Sequence, residues 1–544
     1  MSRLISLAAS LMLGLVGCGG GGGGTTPPPP PPPPVQMTKA EAFQFLNQGS
    51  FGATEAEAAT VISMGREAWI DAQTQKPVSR QLPHLQALPP PQFTFELHAD
   101  RVDIWFRNSL YGEDQLRQRV AFALSEIMVV SQLGALFDLP FAVADYYDVL
   151  AEHAFGNYRD LLEAVTLHPA MGVYLSMLGN EKPDPTLNIR PDENYAREVM
   201  QLFSIGLVEL NSDGTTKLDA NGLPIPTYDQ ATIEGFAHVY TGWTFAGAPG
   251  FRQAFPTPFN QVIPMQLYPG FHDTGAKTLL DGVELPAGQS GEQDLRDALD
   301  TIFNHPNVGP FIAIRLIQRL VTSNPSPGYV RRVAEVFNNN GSGVRGDLGA
   351  VVKAILLDDE AHPSMAMEID GKVKEPLLRL TQLWKAYNAT SRSGRYPLNF
   401  AYILFGQGPL QSPSVFNFFS PFYAPPGEIR NSSLVAPELE IATEYQNTLF
   451  ANYMFYQAFA LNQTSDTLAD DDVFINFEEE MAIAENADAL IDMVAGKLLA
   501  GEISATLRQE IAGMLARIPE TESVLRVAET IYFVSTSPEF AYQR

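Results

Sequence analysis

A chain of 544 residues with one cysteine, Cys18, has no disulfide to staple it and must hold itself together by packing. Its 45% hydrophobic and 18% charged residues describe a globular protein long enough to bury a large core. The spacing of the apolar residues then decides what packs. Thr38 with Glu41 and Thr54 with Glu57 have capping-box spacing, and each opens a segment of helical period. Further helices are predicted over 93–111, 114–132, 140–153 and 157–167, and again over 291–304, 308–322, 328–338, 346–357 and 372–387. Residues 207–227 alternate instead and contain Asp213-Gly214 and Asn221-Gly222, both tight-turn signals, so a small β-ribbon is expected there. Two stretches, 246–289 and 405–427, have no helical period. The expected fold is mainly α, a large multi-helix assembly with a small β-ribbon insertion and long irregular loops. Its main helical domain should cover 38–435, with a C-terminal helical region, 436–544, packed on it.

The first residues place the chain in a cell. Arg3 precedes an apolar run from Leu4 to Val16 that is too short to span a bilayer but long enough for a secretory signal. The run ends in Leu15-Val16-Gly17-Cys18, which resembles a bacterial lipobox, so residues 1–18 read as a lipoprotein signal ending at the lipidated Cys18. Gly19 rather than Asp after the cysteine favours the outer membrane. Residues 19–37 hold six glycines and eight prolines, a tether whose polyproline part spans roughly 25 Å at about 3.1 Å per residue. With 62 acidic against 35 basic residues the net charge is −27, which leaves no basic face for nucleic acid. The expected partner is therefore the envelope membrane, reached through the anchor.

The densest pattern is DENYAREVMQLFSIG, predicted as one helix over 192–206 with Asp192 as N-cap and Gly206 as stop. Its polar stripe carries Glu193, Asn194, Arg197 and Glu198. A second helix, about 229–240, sets Glu234 and His238 at i, i+4 on one face, and the following loop supplies His272, Asp273 and Lys277. A carboxylate and an imidazole at that spacing share a metal or a proton, and a lysine suits an anionic ligand. If the two stripes face each other, Glu198, His238 and His272 are the candidate catalytic residues. Glu193, Asn194, Arg197, Glu234, Asp273 and Lys277 are then the binding residues, and a divalent metal the cofactor such a set would take. The same residue types also build a closed network of Arg197 with Glu193 and Glu198 that only fixes conformation, and both readings stand at this stage. Asp213, Asp219 and Asn221, and separately Asp470–Asp472, offer oxygens to Ca²⁺ or serve as turn and cap residues. Phe416–Tyr423 suits either sugar stacking or packing over a helical core. There is no His-Glu-x-x-His, Gly-x-Ser-x-Gly, P-loop or Gly-x-Gly-x-x-Gly, which removes support for the chemistries those motifs carry.

Several segments together resemble a known family. FLNQGSFGATEAEAATVISMGREAWIDAQ, DENYAREVMQLFSIG, TYDQATIEGFAHVYTGWTF, FHDTGAKTLLDG, HPNVGPFIAIRLIQRLVTSNP and STSPEF occur in order over about residues 40–541 and are similar to the bacterial domain of unknown function (DUF) family 1800. The resemblance implies an exported, largely helical bacterial protein with no established activity. It also implies a neighbouring gene for a second exported family, DUF family 1501, whose members resemble sulfatase and phosphatase folds. The function expected is therefore an envelope lipoprotein that binds or assembles with an exported hydrolase-like partner. The alternative is a metal-assisted hydrolase acting on an extracellular or envelope polymer. An enzyme should hold its polar groups in an open cleft, whereas an assembly protein should close them into a network.

Overall fold

Thr38 and Thr54 start the first two helices, Lys39–Gly49 and Glu55–Met64, as full capping boxes. Each threonine hydroxyl accepts from the N–H three residues later, while Glu41 or Glu57 reaches back to the cap N–H. A computed structural model describes residues 37–90, 93–362, 371–460 and 468–543, so Cys18 and residues 19–36 lie outside the described residues. Among these are 24 α-helices and three two-stranded antiparallel ladders of two residues per strand. The fold is mainly α, and Met37–Arg544 forms one compact unit around a shared apolar core.

Several helices match their sequence pattern closely, among them Thr94–Tyr111, Pro140–His153, Tyr158–Leu167 and Gly291–Asn304. Three are shorter than the pattern predicts, and in one of them, expected over 372–387, the helix is Pro376–Ala386 while Lys372–Val373 forms a strand. The helix expected over 114–132 is Gln115–Ser125. Beyond it the chain turns so that Gln132 N–H donates to Leu410 O and Ser131 Oγ to Ser412 O, contacts unavailable to a continuing helix. The helix expected over 192–206 is Asn194–Gln201, capped by Glu193 rather than Asp192. It ends five residues before Gly206, whose N–H instead donates to Met200 O at a φ of +75°.

The ribbon over 207–227 pairs through single bridges, Leu210 with Thr216, Leu218 with Pro224 and Val208 with Pro226, so each of its three short segments touches both others. Buried Asn307 ties its base to the body by accepting from Leu210 N–H and donating to Ile205 O and Val208 O. At the chain end, Tyr542–Gln543 pairs with Lys372–Val373, and Gln543 donates to Leu320 O.

Charges are buried at the centre. Arg319 Nη1 lies 3.2 Å from Glu126 Oε2, and Lys372 Nζ lies 3.4 Å from Glu375 and 3.0 Å from Glu438. Gln407 Nε2 donates to both Glu126 and Glu375, and Arg119 donates to Arg319 O, with every one of these side chains buried. Burial pushes the Glu126 carboxyl up to about 8, beyond the pull of Arg319, so it holds the proton. Burial acts upward on Glu375 too, but Lys372, Arg319 and Arg119 overcome it and hold that carboxyl down near 2. The unfolded chain ionises Glu126 near its ordinary value of 4.5, so this group's contribution to stability falls as pH rises from there to about 8 and is level above. A Glu126→Gln variant should therefore gain Tm over the wild type progressively between pH 5 and 8. Glu375→Ala, which strands buried cations, should cost about 3–5 kcal/mol in a denaturant titration.

Candidate functional site

Helices Asn194–Gln201 and Gln230–Val239 pack against each other, so the two polar stripes do meet. Asp229 caps the second helix by accepting from Thr232 N–H, which starts it beside the first. Gln230 Nε2 donates to both carboxylate oxygens of Glu193 at 3.1 and 3.0 Å and lies 3.4 Å from Glu234. Arg197 closes the row with a 3.1 Å bond to Glu193. Asn194 is exposed; its backbone N–H donates to Asp192 Oδ1, and its side-chain amide makes no hydrogen bond among the described residues.

Two glycines let the loop reach these helices. A Cβ on Gly235 would stand 2.0 Å from Thr278 O, and one on Gly242, at a φ of +88°, would stand 2.9 Å from His272 N. With the loop seated, His238 Nδ1–H donates to Asp273 Oδ2, while Asp273 Oδ1 accepts from Gly275 N–H. Burial pushes the Asp273 carboxyl up, but the Gly275 N–H and His238 hold it below its usual value. His238 Nε2 makes no hydrogen bond among the described residues and the ring is part-exposed, so this dyad has one nitrogen free to take or give a proton.

His272 and Lys277 go the other way. His272 Nε2–H donates to Asp294 Oδ2 at 3.0 Å and its Nδ1 lies 3.0 Å from Thr241 O. Lys277 Nζ donates to the same Asp294 oxygen at 2.6 Å and to the carbonyls of Asp273 and Gly275. All three side chains are buried. Burial pushes the Asp294 carboxyl up, and the bonds from His272, Lys277 and Gln289 outweigh it and keep it below its usual value. Asp294 was absent from the sequence-derived set; its only local signal is an acidic residue in the first turn of the helix that Ser290 caps.

Glu198 stands apart from both. It is 5% exposed, and its Oε2 has no partner among the described residues. Burial raises its carboxyl above the usual value, with Arg197 offsetting part of the effect. The Tyr228 hydroxyl, also without a partner, is pushed up to about 12 by burial and by the charge of Glu198. Glu198, His238 and His272 share no hydrogen bond with one another, and no group of three or more His, Cys, Asp or Glu among the described residues is placed to hold a metal ion.

The remaining candidates have structural employment. Asp213 accepts from Thr215 and Asp219 from Asn221 and Leu223, and these bonds lower both carboxyls in exposed turns. Asp472 accepts from Ala469 N–H. Phe419 and Phe422 lie over the guanidinium groups of Arg319 and Arg315, each at 4.5 Å. Two shallow clefts occur elsewhere. One of about 280 Å³ is lined by Asn180, Glu181, Arg190 and Asp192, and one of about 460 Å³ by Asp71, Arg117, Glu152, Asp347 and Lys353.

A model of the family described as "Protein of unknown function (DUF1800)" matches residues 44–542. The chain belongs to this family. No curated protein and no solved structure matches it. The DUF1800 match takes in both polar helices, the ribbon, the His272-Asp273 loop and Asp294.

Asp294→Ala removes the one counter-charge shared by His272 and Lys277 and should cost about 3–5 kcal/mol by denaturant titration, whereas His238→Ala should stay within about 1 kcal/mol. Because the raised Glu198 carboxyl holds its proton past the point where the unfolded chain ionises, Glu198→Gln should gain Tm relative to wild type as pH climbs above the ordinary carboxylate range.

Proposed function

We propose that this DUF1800 protein is a bacterial envelope lipoprotein, anchored through Cys18 at the outer membrane, whose body is a binding or assembly component. Its partner in this reading is an exported hydrolase-like protein of a neighbouring gene, and the pair acts on envelope or extracellular polymer. The observation that supports a binding role is the closure of the polar side chains on one another. Glu193 is shared by Gln230 and Arg197, and Asp294 by His272 and Lys277, with no cleft among those described lined by them.

One observation favours the second reading, a metal-assisted hydrolase using Glu198, His238 and His272. It is the unused Nε2 of His238, oriented by Asp273. Against it stands that no three His, Cys, Asp or Glu side chains among the described residues are grouped to hold a metal ion. In cells, Cys18→Ala should abolish incorporation of labelled palmitate and move the protein from the membrane to the soluble fraction. Cross-linking should then recover the hydrolase-like partner with the wild type and lose it with the variant. Unchanged fractionation would refute the anchor. Plasma mass spectrometry of the body should find no stoichiometric metal; a metal lost in a folded Glu198→Ala, His238→Ala variant would replace the binding reading with the hydrolase.

A further inference from the structure

Arg117, on helix Gln115–Ser125, is a buried cation that its surroundings leave half satisfied. It is 8% exposed and makes no ion pair among the described residues. Its Nη1 donates to Ala151 O and its Nη2 to Thr74 O, each at 3.1 Å, and its Cζ lies 4.7 Å from the centre of the Phe155 ring. Three of the five guanidinium N–H groups, the buried Nε–H among them, thus have no acceptor among the described residues. Its acidic neighbours are taken: Asp114 accepts from Ser79 and Gln118, and Glu152 pairs with Arg80. Burial lowers the Arg117 pKa, and those two carboxylates offset only part of the effect.

Arg117 lines the cleft of about 460 Å³, whose walls also come from helices Arg66–Thr74 and Leu348–Leu357. The start of the second of these is pinned in place. Leu348 N–H donates to Gly156 O, Tyr158 N–H donates to Gly346 O, and Asp347 caps the helix by accepting from Ala350 N–H. Between those two donors, the N–H of Gly349, which also lines the cleft, has no acceptor among the described residues. An unspent N–H in the first turn of a helix and a guanidinium with unspent hydrogens are both donors suited to an anion. The other charges on these walls are occupied: Lys353 pairs with Asp71 and Glu67, Glu152 with Arg80, and Asp347 accepts from Ala350 and Asn340.

We propose that this cleft binds a small zwitterion, a free amino acid or short peptide, whose carboxylate is taken by Arg117 and the Gly349 N–H and whose ammonium is taken by Asp347 and Glu152. One carboxylate matches the one cation on these walls that has no counter-charge. Asp71, Glu152 and Asp347 repel a phosphate dianion and favour a ligand that also carries positive charge, so the walls select against plain anions. Asp347 keeps lone pairs beyond the two bonds it accepts. The Phe155 ring beside the guanidinium fixes its plane, which is what a planar carboxylate needs of it. The volume lies within the roughly 300–1,000 Å³ of small-molecule pockets. The proposal depends on neither the anchor nor the partner of the reading above.

The test titrates the full chain with alanylalanine at millimolar concentration and follows saturation transfer to the peptide by NMR together with the Tm. Alanylalanine should bind and raise the Tm. Its C-terminal amide, which lacks the carboxylate, should bind about tenfold or more weakly, and N-acetylalanylalanine, which lacks the ammonium, should also lose affinity. Arg117→Gln should abolish binding. That variant also takes donors from Ala151 O and Thr74 O and can fail to fold, so Ala350→Phe is made beside it. Ala350 lines the cleft, and the larger side chain fills it with Arg117 still in place, so this variant should keep the ligand-free Tm and lose the peptide. No binding by the wild type, equal binding of the amide, or undiminished binding by a folded Ala350→Phe variant overturns the proposal. Acetate or inorganic phosphate binding as tightly as alanylalanine makes the cleft a plain anion site and overturns the zwitterion.

Discussion

Everything in this molecule is arranged around a set of charges that water does not reach. Arg119, Arg319 and Lys372 face Glu126, Glu375 and Glu438, and the six come from four separate parts of the chain. A buried ion is tolerable only with a partner in place, so the helix ending at Ser125, the helix Val308–Leu320, the Lys372–Val373 strand and the Pro437–Glu440 turn have one mutual arrangement that leaves none stranded. Apolar packing supplies the stabilisation, and the charges select which packing is acceptable. The protonated Glu126 beside ionised Glu375 is the accommodation this requires, because two like charges bridged by one amide of Gln407 do not both ionise cheaply.

The candidate site repeats that logic on a smaller scale and then departs from it. His272 and Asp273 are neighbours in an extended stretch, where successive side chains point to opposite sides. One is drawn inward to Asp294 with Lys277, and the other outward to His238. The inner triad fixes the loop, and the outer dyad keeps a nitrogen available. Glu198 and Tyr228 form a third, separate element in which burial rather than pairing sets the protonation.

The helical class was legible because its signals are local. Thr38 and Thr54 each find their capping glutamate three residues away, and a one-turn interaction is written in one turn of sequence. The ribbon was legible for the same reason, since Gly214 and Gly222 take the positive φ their turns demand. The lengths of the helices after Asp114 and Asp192 were not. In both, the apolar period runs on past the point where distant groups, Leu410 and Ser412 in the first case, claim the backbone. The site was half legible. Side-by-side helices follow from a short connection, but Asp294 lies 22 residues from His272, and nothing in the intervening sequence announces that the two histidines face apart.

The central ion set also fixes an order in time. Glu126 and Glu375 are separated by about 250 residues, and a ribosome adding 5–20 residues per second needs roughly 12 to 50 s to follow the first with the second. Until then Arg119 and Glu126 lack the Glu375 carboxylate that belongs to their buried set. A nascent chain of this design completes its central ion set only after Glu438, about four-fifths of the way along it, has been made.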